Sequence, residues 1–424
     1  MPLWLRMTLF VVVLVLLVGG TSTYVFRRGA KVLALGRRGR VALAGLLVTA
    51  PLFVIASRVT ERAGAPEAAF ALGAAGATIV LGVLISTVLL WAVDLPFGAL
   101  AWLRRLREAR TDDAALAAPV EESAEAAREV VEHETVGHVV GPSAIGRREL
   151  LRRGATGAAL SVGFGSALYG AVFGRHDYEV SVVPVPIPGL SPRLDGYRIA
   201  QISDIHFGVY VGDAELASAV SLIGSARPDL VVLTGDLLDH DAAFAPFLGR
   251  LVRRLSELPA RDGVVVIPGN HDYYAGIEHV LGAAREGGAR VLKNEGRVIG
   301  DRGGAFALLG VDDVWSPRNG YGPGPDLGRA MAMVPADLPR VLLCHNPEYF
   351  PRAREHVALQ LSGHTHGGQV NLGIRPADLL LPYVHGLYEE DGARLYVNRG
   401  FGTAGPPARV GAPPEVTLVV LTAA

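Results

Sequence analysis

The chain has 424 residues, half of them apolar, a formal net charge of −1 and a single cysteine, Cys344. Near-neutral charge excludes a global field for nucleic acid or an acidic partner, and one cysteine excludes an intrachain disulfide. A mean hydropathy of +0.32 is too high for an ordinary soluble enzyme, and the excess lies before residue 175.

Within a membrane region predicted for 1–104, three segments are long and apolar enough to span a bilayer: about 7–20, 41–57 and 68–93. Pro51 interrupts the second, which a membrane helix tolerates. The first does not read as a cleavable signal peptide, because no small-residue cleavage site precedes a soluble domain and two more spans follow. Arg27, Arg28, Lys31, Arg37, Arg38 and Arg40 follow the first span, and Arg104, Arg105, Arg107 and Arg110 follow the third. The loop between the second and third carries only Arg58 and Arg62. The positive-inside rule then predicts a cytoplasmic first and third loop and an external N-terminus.

Residues 105–146 read as an acidic cytoplasmic linker in which His133 and His138 are bystanders. Arg147-Arg148 and Arg152-Arg153 introduce a weakly apolar, Gly/Ala-rich segment at 154–174, within a region bounded at 147–175. It fits a fourth span with a basic cytoplasmic flank, or an internal segment similar to a twin-arginine export signal. Either reading places the chain beyond residue 175 outside the cytoplasm. A helix lying on the surface of the succeeding domain is a third reading, and would reverse that conclusion.

From residue 176 to 424 the pattern changes to short β-rich runs alternating with helical stretches. Strands are predicted at 179–185, 197–202, 230–233, 264–267, 305–309, 341–344, 357–361, 395–397 and 416–421. Helices are predicted at 213–225, 242–258, 277–286 and 348–354, which makes a layered α/β domain. Polar blocks follow several of these strands, where open α/β sheets place their ligands.

Asp204 and His206 are one residue apart and can point the same way from an extended backbone, although such a pair also fits a surface turn. Asp236 follows Gly235, which permits a sharp turn, and its two oxygens can bridge two cations; a helix N-cap is the bland alternative. Asn270 offers a neutral amide oxygen. His271 beside it, held by Asp272, could give a proton to a leaving oxygen; a turn with a structural histidine is the competing reading. His345 alone would pass for a core histidine. His364 and His366, flanked by glycines, can aim two imidazoles at neighbouring metals. Together these carboxylates, amide and imidazoles are enough to hold two divalent ions, and their mixed nitrogen and oxygen donors suit phosphate-ester hydrolysis. Asp312-Asp313, the stretch 319–325 and His385 are read as structural, and His176, His240, His279 and His356 show no ligand spacing. The glycines between 73 and 82 fall inside a span and suit helix packing.

The ordered blocks D-x-H, G-D-x-x-D, G-N-H-D, H and G-H-x-H resemble the calcineurin-like metallophosphoesterase superfamily over about 178–422. Within it, the chain is similar to the membrane-associated bacterial YkuE/YaeI-like branch. The resemblance implies an α/β/β/α sandwich, here preceded by an all-α membrane region of three to four spans. It implies one metal held by Asp204, His206, Asp236 and His366, and a second held by Asp236, Asn270, His345 and His364. It casts His271 as contacting the phosphoryl group or protonating the leaving group and leaves Asp239 to support its loop; with Asp272 read as holding it, the expected catalytic residues are His271 and Asp272. Mn, Fe or Zn would serve, and the ligands do not choose among them. The expectation is a multi-pass membrane phosphohydrolase with an extracytoplasmic catalytic domain. It would cleave phosphomonoester, phosphodiester or pyrophosphate bonds by metal-activated water, on lipid- or envelope-linked substrates. A non-catalytic scaffold or sensor on the same fold is the alternative. No nucleic-acid partner is expected, and the oligomeric state is open.

Overall fold

The computed structural model describes residues 3–116, 146–301, 303–318 and 320–424. Most of the predicted acidic linker, with His133 and His138, lies outside the described residues. Four long helices open the chain: α1 (Leu3–Val32), α2 (Arg37–Arg62), α3 (Pro66–Leu116) and α4 (Arg147–Val172). The spans predicted at 7–20, 41–57 and 68–93 fall inside α1, α2 and α3, the segment 154–174 runs two residues past the end of α4, and α3 continues well past residue 93. Among the described residues, three stretches are long and apolar enough to cross a membrane: Arg37–Arg62, Pro66–Ala99 and Glu149–His176.

The chain divides into two units, Met1–Val48 with Val80–Gly165, and Thr49–Ile79 with Ser166–Ala424. In the first, Asp94, just past the third predicted span, accepts a 2.5 Å hydrogen bond from Tyr24 and pairs with Arg28. Helices α3 and α4 approach closely at glycine: a β-carbon on Gly163 would strike the backbone of Ser86, and one on Gly82 would strike the Phe164 ring.

The second unit carries the sandwich. Its elements are β1 (Glu179–Ile187), β2 (Tyr197–Ile202), α5 (Asp213–Ala226), β3 (Leu230–Thr234), α6 (Ala245–Ser256), β4 (Val264–Ile267), α7 (Asn270–Tyr274), α8 (Ile277–Glu286) and β5 (Arg290–Val291). They continue as β6 (Glu295–Asp301), β7 (Gly304–Gly310), α9 (Leu327–Met331), β8 (Arg340–Leu343), α10 (Phe350–Ala353), β9 (Leu359–Ser362), β10 (Gly386–Glu390), β11 (Ala393–Val397) and β12 (Glu415–Ala423). Two six-stranded sheets form, in the orders β1-β12-β2-β3-β4-β5 and β10-β11-β9-β8-β7-β6. Strands β2 to β5 run parallel, as do β7, β8, β9 and β11.

Alternation along β3 separates the layers. Leu230 and Val232 enter a core shared with Phe306, Leu308, Val341, Leu343 and Leu361 of the other sheet. Val231 and Leu233 face the opposite way, against Ile223 of α5, Leu248 of α6 and Val280 of α8. On the far face, Ala307, Leu309 and Leu342 pack on Leu327, Ala330 and Ala353. The order is therefore helix, sheet, sheet, helix. Because both faces of the central strands are covered, they read as unbroken apolar runs.

Candidate metal centre

The predicted ligands leave the carboxyl ends of five parallel strands. β2 delivers Asp204 and His206, β3 delivers Asp236, and β4 delivers Asn270 and His271, all from one sheet. From the other sheet, β8 delivers His345 and β9 delivers His364 and His366. Backbone bonds tie these ends together: Asp204 N–H to Gly235 O at 3.0 Å, His206 N–H to Asp236 O at 3.1 Å, and Gly363 N–H to His345 O at 2.9 Å.

Among the described residues, four groups of donor atoms are gathered closely enough to grip a cation; two consist wholly of predicted ligands, Asp204–His206–His366 and Asp236–His345–His364, and two include His271, with His206 and Asp236 or with Asp239 and His240. The Nε2 atoms of His206 and His366 stand 3.1 Å apart, with Asp204 Oδ1 3.5 Å from His366 Nε2. His345 Nε2 lies 3.2 Å from Asp236 Oδ2 and 3.3 Å from His364 Nδ1. Asp236 Oδ2 also lies 3.8 Å from His206 Nε2, so this one oxygen faces both groups.

Five of the six residues in the two ligand groups are buried and His364 is half-buried, and the chemistry of the donors fits a pair of divalent cations. Asn270 Oδ1 is buried without a hydrogen-bond partner among the described residues, an arrangement that costs about 1–3 kcal/mol unless something positive faces it. His345 Nδ1 lies 2.8 Å from Thr234 O, which can only accept, so Nδ1 carries a hydrogen and Nε2 is the atom turned toward Asp236 and His364. Burial opposes charge on His345, yet Asp236 and Asp204 raise it to about 10; the pocket favours positive charge at that point. Burial, joined by His345, pushes His364 down to about 3, and burial with His206 and Arg409 holds His366 well below its ordinary value. Both imidazoles are thereby kept neutral, the form that ligates.

Asp272 requires a correction. Its carboxylate does not hold the His271 ring: Oδ1 accepts from Leu237 N–H at 2.8 Å and Leu238 N–H at 3.2 Å, and Oδ2 from Gly269 N–H at 2.8 Å. It locks the loops after β3 and β4 together. The His271 ring is held by Asp239, whose carbonyl lies 2.9 Å from Nδ1 and whose Oδ1 lies 3.7 Å away. Burial opposes protonation of His271, but Asp239 and Asp236 raise it to about 9.

Several residues around the centre carry no motif. Arg409 is fully buried, donates to the carbonyls of Gly400, Gly402 and Ala412, and sits 3.3 Å from His366 Nδ1. Trp315 stands edge-on to His364 at 4.8 Å, and its backbone N–H donates to Asp313, a carboxyl pushed up to about 6 by burial. His240, set aside on spacing, lies 2.7 Å from Asp239 and beside His271. Asp312 is structural: it accepts from the Tyr273 hydroxyl at 2.5 Å.

Asp204, His206, Asp236, His364 and His366 all have φ between +52° and +76°, in the left-handed region that non-glycine residues enter at a cost of about 1 kcal/mol or more each. Gly363 is required for a different reason, since a β-carbon there would collide with Ser203 Oγ and Asp204 Oδ2. Gly363→Ala is therefore expected to displace the Asp204 carboxylate and to lower turnover roughly a hundredfold. Metal content by mass spectrometry and kcat/KM check it; a fully loaded, fully active variant would refute the contact.

The profile of the calcineurin-like phosphoesterase family matches residues 197–368. An uncharacterized metallophosphoesterase of Aquifex aeolicus is 32% identical over 232 residues, 54% of this chain and 87% of that protein. The chain belongs to the calcineurin-like phosphoesterase family. Within this family, the uncharacterized metallophosphoesterase YkuE of Bacillus subtilis is 29% identical over 65% of the chain and 97% of its own length. A "Transmembrane protein with metallophosphoesterase domain" of Bos taurus is 34% identical over 58% of the chain. The chain spans only 57% of that cattle protein and 60% of its Danio rerio counterpart.

Proposed function

We propose that the chain is a membrane-anchored phosphohydrolase using two divalent metals, with Asp236 as the shared ligand. The observation that carries this reading is the pair of donor groups meeting at one Asp236 oxygen. Asp204, His206, Asp236 and His366 would hold one ion, and Asp236, Asn270, His345 and His364 the other. Bound there, such a pair acidifies a water and offsets charge on the phosphoryl oxygens. The chain's own part is to fix the donors, exclude bulk water from their buried side, and place a proton. His271 does the last: with Nδ1 committed to Asp239, its Nε2 is the atom that can hold a phosphoryl oxygen or protonate the departing one.

His271→Ala is expected to retain both metals while kcat falls roughly a hundredfold to a thousandfold. Unchanged kcat would remove the role. The reading as a whole is tested with the full-length protein in detergent, loaded with Mn, Fe or Zn. It is offered phosphomonoesters, phosphodiesters, nucleotide sugars and phosphatidic acid. Turnover of none by protein holding two ions per chain would overturn it.

Membrane attachment is supported by the three candidate spans and by relatives named as transmembrane proteins. Within the second unit, Arg58 and Ser57 touch the catalytic domain, so the α2–α3 turn and that domain share a side of the bilayer. That turn is poor in basic residues compared with the flanking loops, which argues for the extracytoplasmic side. Tethering favours a lipid- or envelope-linked phosphate as substrate.

A further inference from the structure

We propose that the turn between helices α2 and α3 is built into the active site, with Arg58 as a positioning residue that pins Asp239 and, through it, the rings of His206 and His271. This rests on the phosphohydrolase reading for its kinetic consequence, though not for the contact itself.

Asp239 divides its carboxylate. Oδ1 faces three imidazoles, at 2.7 Å from His240 Nδ1 and 3.7 Å from both His206 Nδ1 and His271 Nδ1. Oδ2 faces Arg58 Nη2 at 3.6 Å. A carboxylate held on one oxygen alone can swing about its last torsion. The Arg58 charge beside the second oxygen opposes that rotation, and so fixes the charge that faces His206 Nδ1 and the His271 ring, whose Nδ1 bonds the Asp239 carbonyl at 2.9 Å. Arg58 is steered in turn by Glu61, one helical turn on, at 3.3 Å.

Independent contacts keep the turn in place. Tyr210, four residues beyond His206, hydrogen-bonds Ser57 through its hydroxyl. That hydroxyl fills a notch that exists only because residue 73 is glycine, where a β-carbon would collide with it. The Phe70 ring meets the Tyr210 ring edge-on at 6.0 Å, and Arg175 covers Phe70 at 5.5 Å while donating to Tyr210 O at 2.8 Å. The loop so clamped is the one joined to Asp239, whose N–H bonds Phe207 O at 3.0 Å. The membrane hairpin thus bears on the same short stretch that supplies His206.

The experiment uses full-length protein in detergent with Mn. It compares wild type, Arg58→Ala, Arg58→Lys and the neighbouring Arg62→Ala, with bis(p-nitrophenyl) phosphate as a soluble substrate. Arg58→Ala is expected to lose about tenfold in kcat with KM within about twofold and Mn content unchanged. Arg58→Lys should recover most of the loss, and Arg62→Ala should match wild type. Amide hydrogen exchange across 237–244 should quicken in Arg58→Ala only. Wild-type kcat and wild-type exchange in Arg58→Ala, or an equal loss in Arg62→Ala, would overturn the proposal. Should Arg58→Ala fail to fold, Arg58→Gln, which keeps the aliphatic stem, is judged by the same two readouts. Wild-type protein that cleaves no phosphoester would sink the phosphohydrolase reading instead, while the exchange comparison would still decide the clamp.

Discussion

Asp236→Asn is expected to reduce phosphoester turnover by roughly a thousandfold or more and to leave at most one metal per chain. The substitution keeps the shape of the side chain, so the fold has little reason to change. What it changes is the oxygen that lies 3.2 Å from His345 Nε2 and 3.8 Å from His206 Nε2. An amide brings no negative charge, and one of its two ends is a donor that repels a cation. Asp236 is charged even without cations: burial would raise it, but His345 and the other imidazoles hold it well below the usual carboxylate range. Its Oδ1 also accepts the His271 N–H at 2.8 Å, so one residue ties both donor groups to the proposed proton donor. Metal analysis and kcat/KM on the same preparation check this. A variant with two ions and wild-type rate would show that the groups do not share a ligand.

Arg409→Met is expected to destabilise the catalytic domain by about 3–5 kcal/mol, among the largest losses a single substitution causes. The guanidinium is only 1% exposed and makes no ion pair among the described residues; backbone carbonyls of Gly400, Gly402 and Ala412 surround it at 2.6–3.0 Å. Burial pulls its pKa down to about 10, still far above neutral pH, so the charge is retained. Methionine fills much of the volume but leaves those oxygens without donors in a dry interior. The loss corresponds to a melting temperature lower by roughly 10 °C for a domain of this size. Scanning calorimetry measures it, and a shift under about 2 °C would mean that water replaces the lost donors.

The contrast between these two residues explains how much of the molecule is legible in the sequence. Asp236, His345 and the histidine pair lie just past parallel strands whose two covered faces make them apolar throughout, so strand and ligand announce each other. The strands without a sequence signal are β5, β6 and β10, which are edges of the two sheets. β6 has the sequence EGRVIGD, and its half-exposed position leaves no apolar run to detect. The helix expected over 242–258 begins as a short 3-10 turn at Ala242–Phe244 before α6, whose second residue is Pro246. Arg409 and Arg58 are invisible for another reason. An arginine in a loop or at a helix end has no periodicity, and its role comes from chain segments that only folding brings together. The attribution of His271's support to its neighbour Asp272 fails on the same ground, because adjacency in sequence is a poor guide to which carboxylate a ring faces.

The left-handed backbone at Asp204, His206, Asp236, His364 and His366 has a bearing on which element occupies the pocket. Five stiff hinges, closed by folding rather than by the guest, give the cage a nearly fixed bore. Calcium asks for six to eight oxygens at about 2.3–2.6 Å and would have to pry such a cage open. Smaller transition ions, with bonds of roughly 2.0–2.2 Å to nitrogen and oxygen, would enter without that strain. Ionic size would then join the nitrogen-rich donor set in favouring a smaller transition ion over calcium.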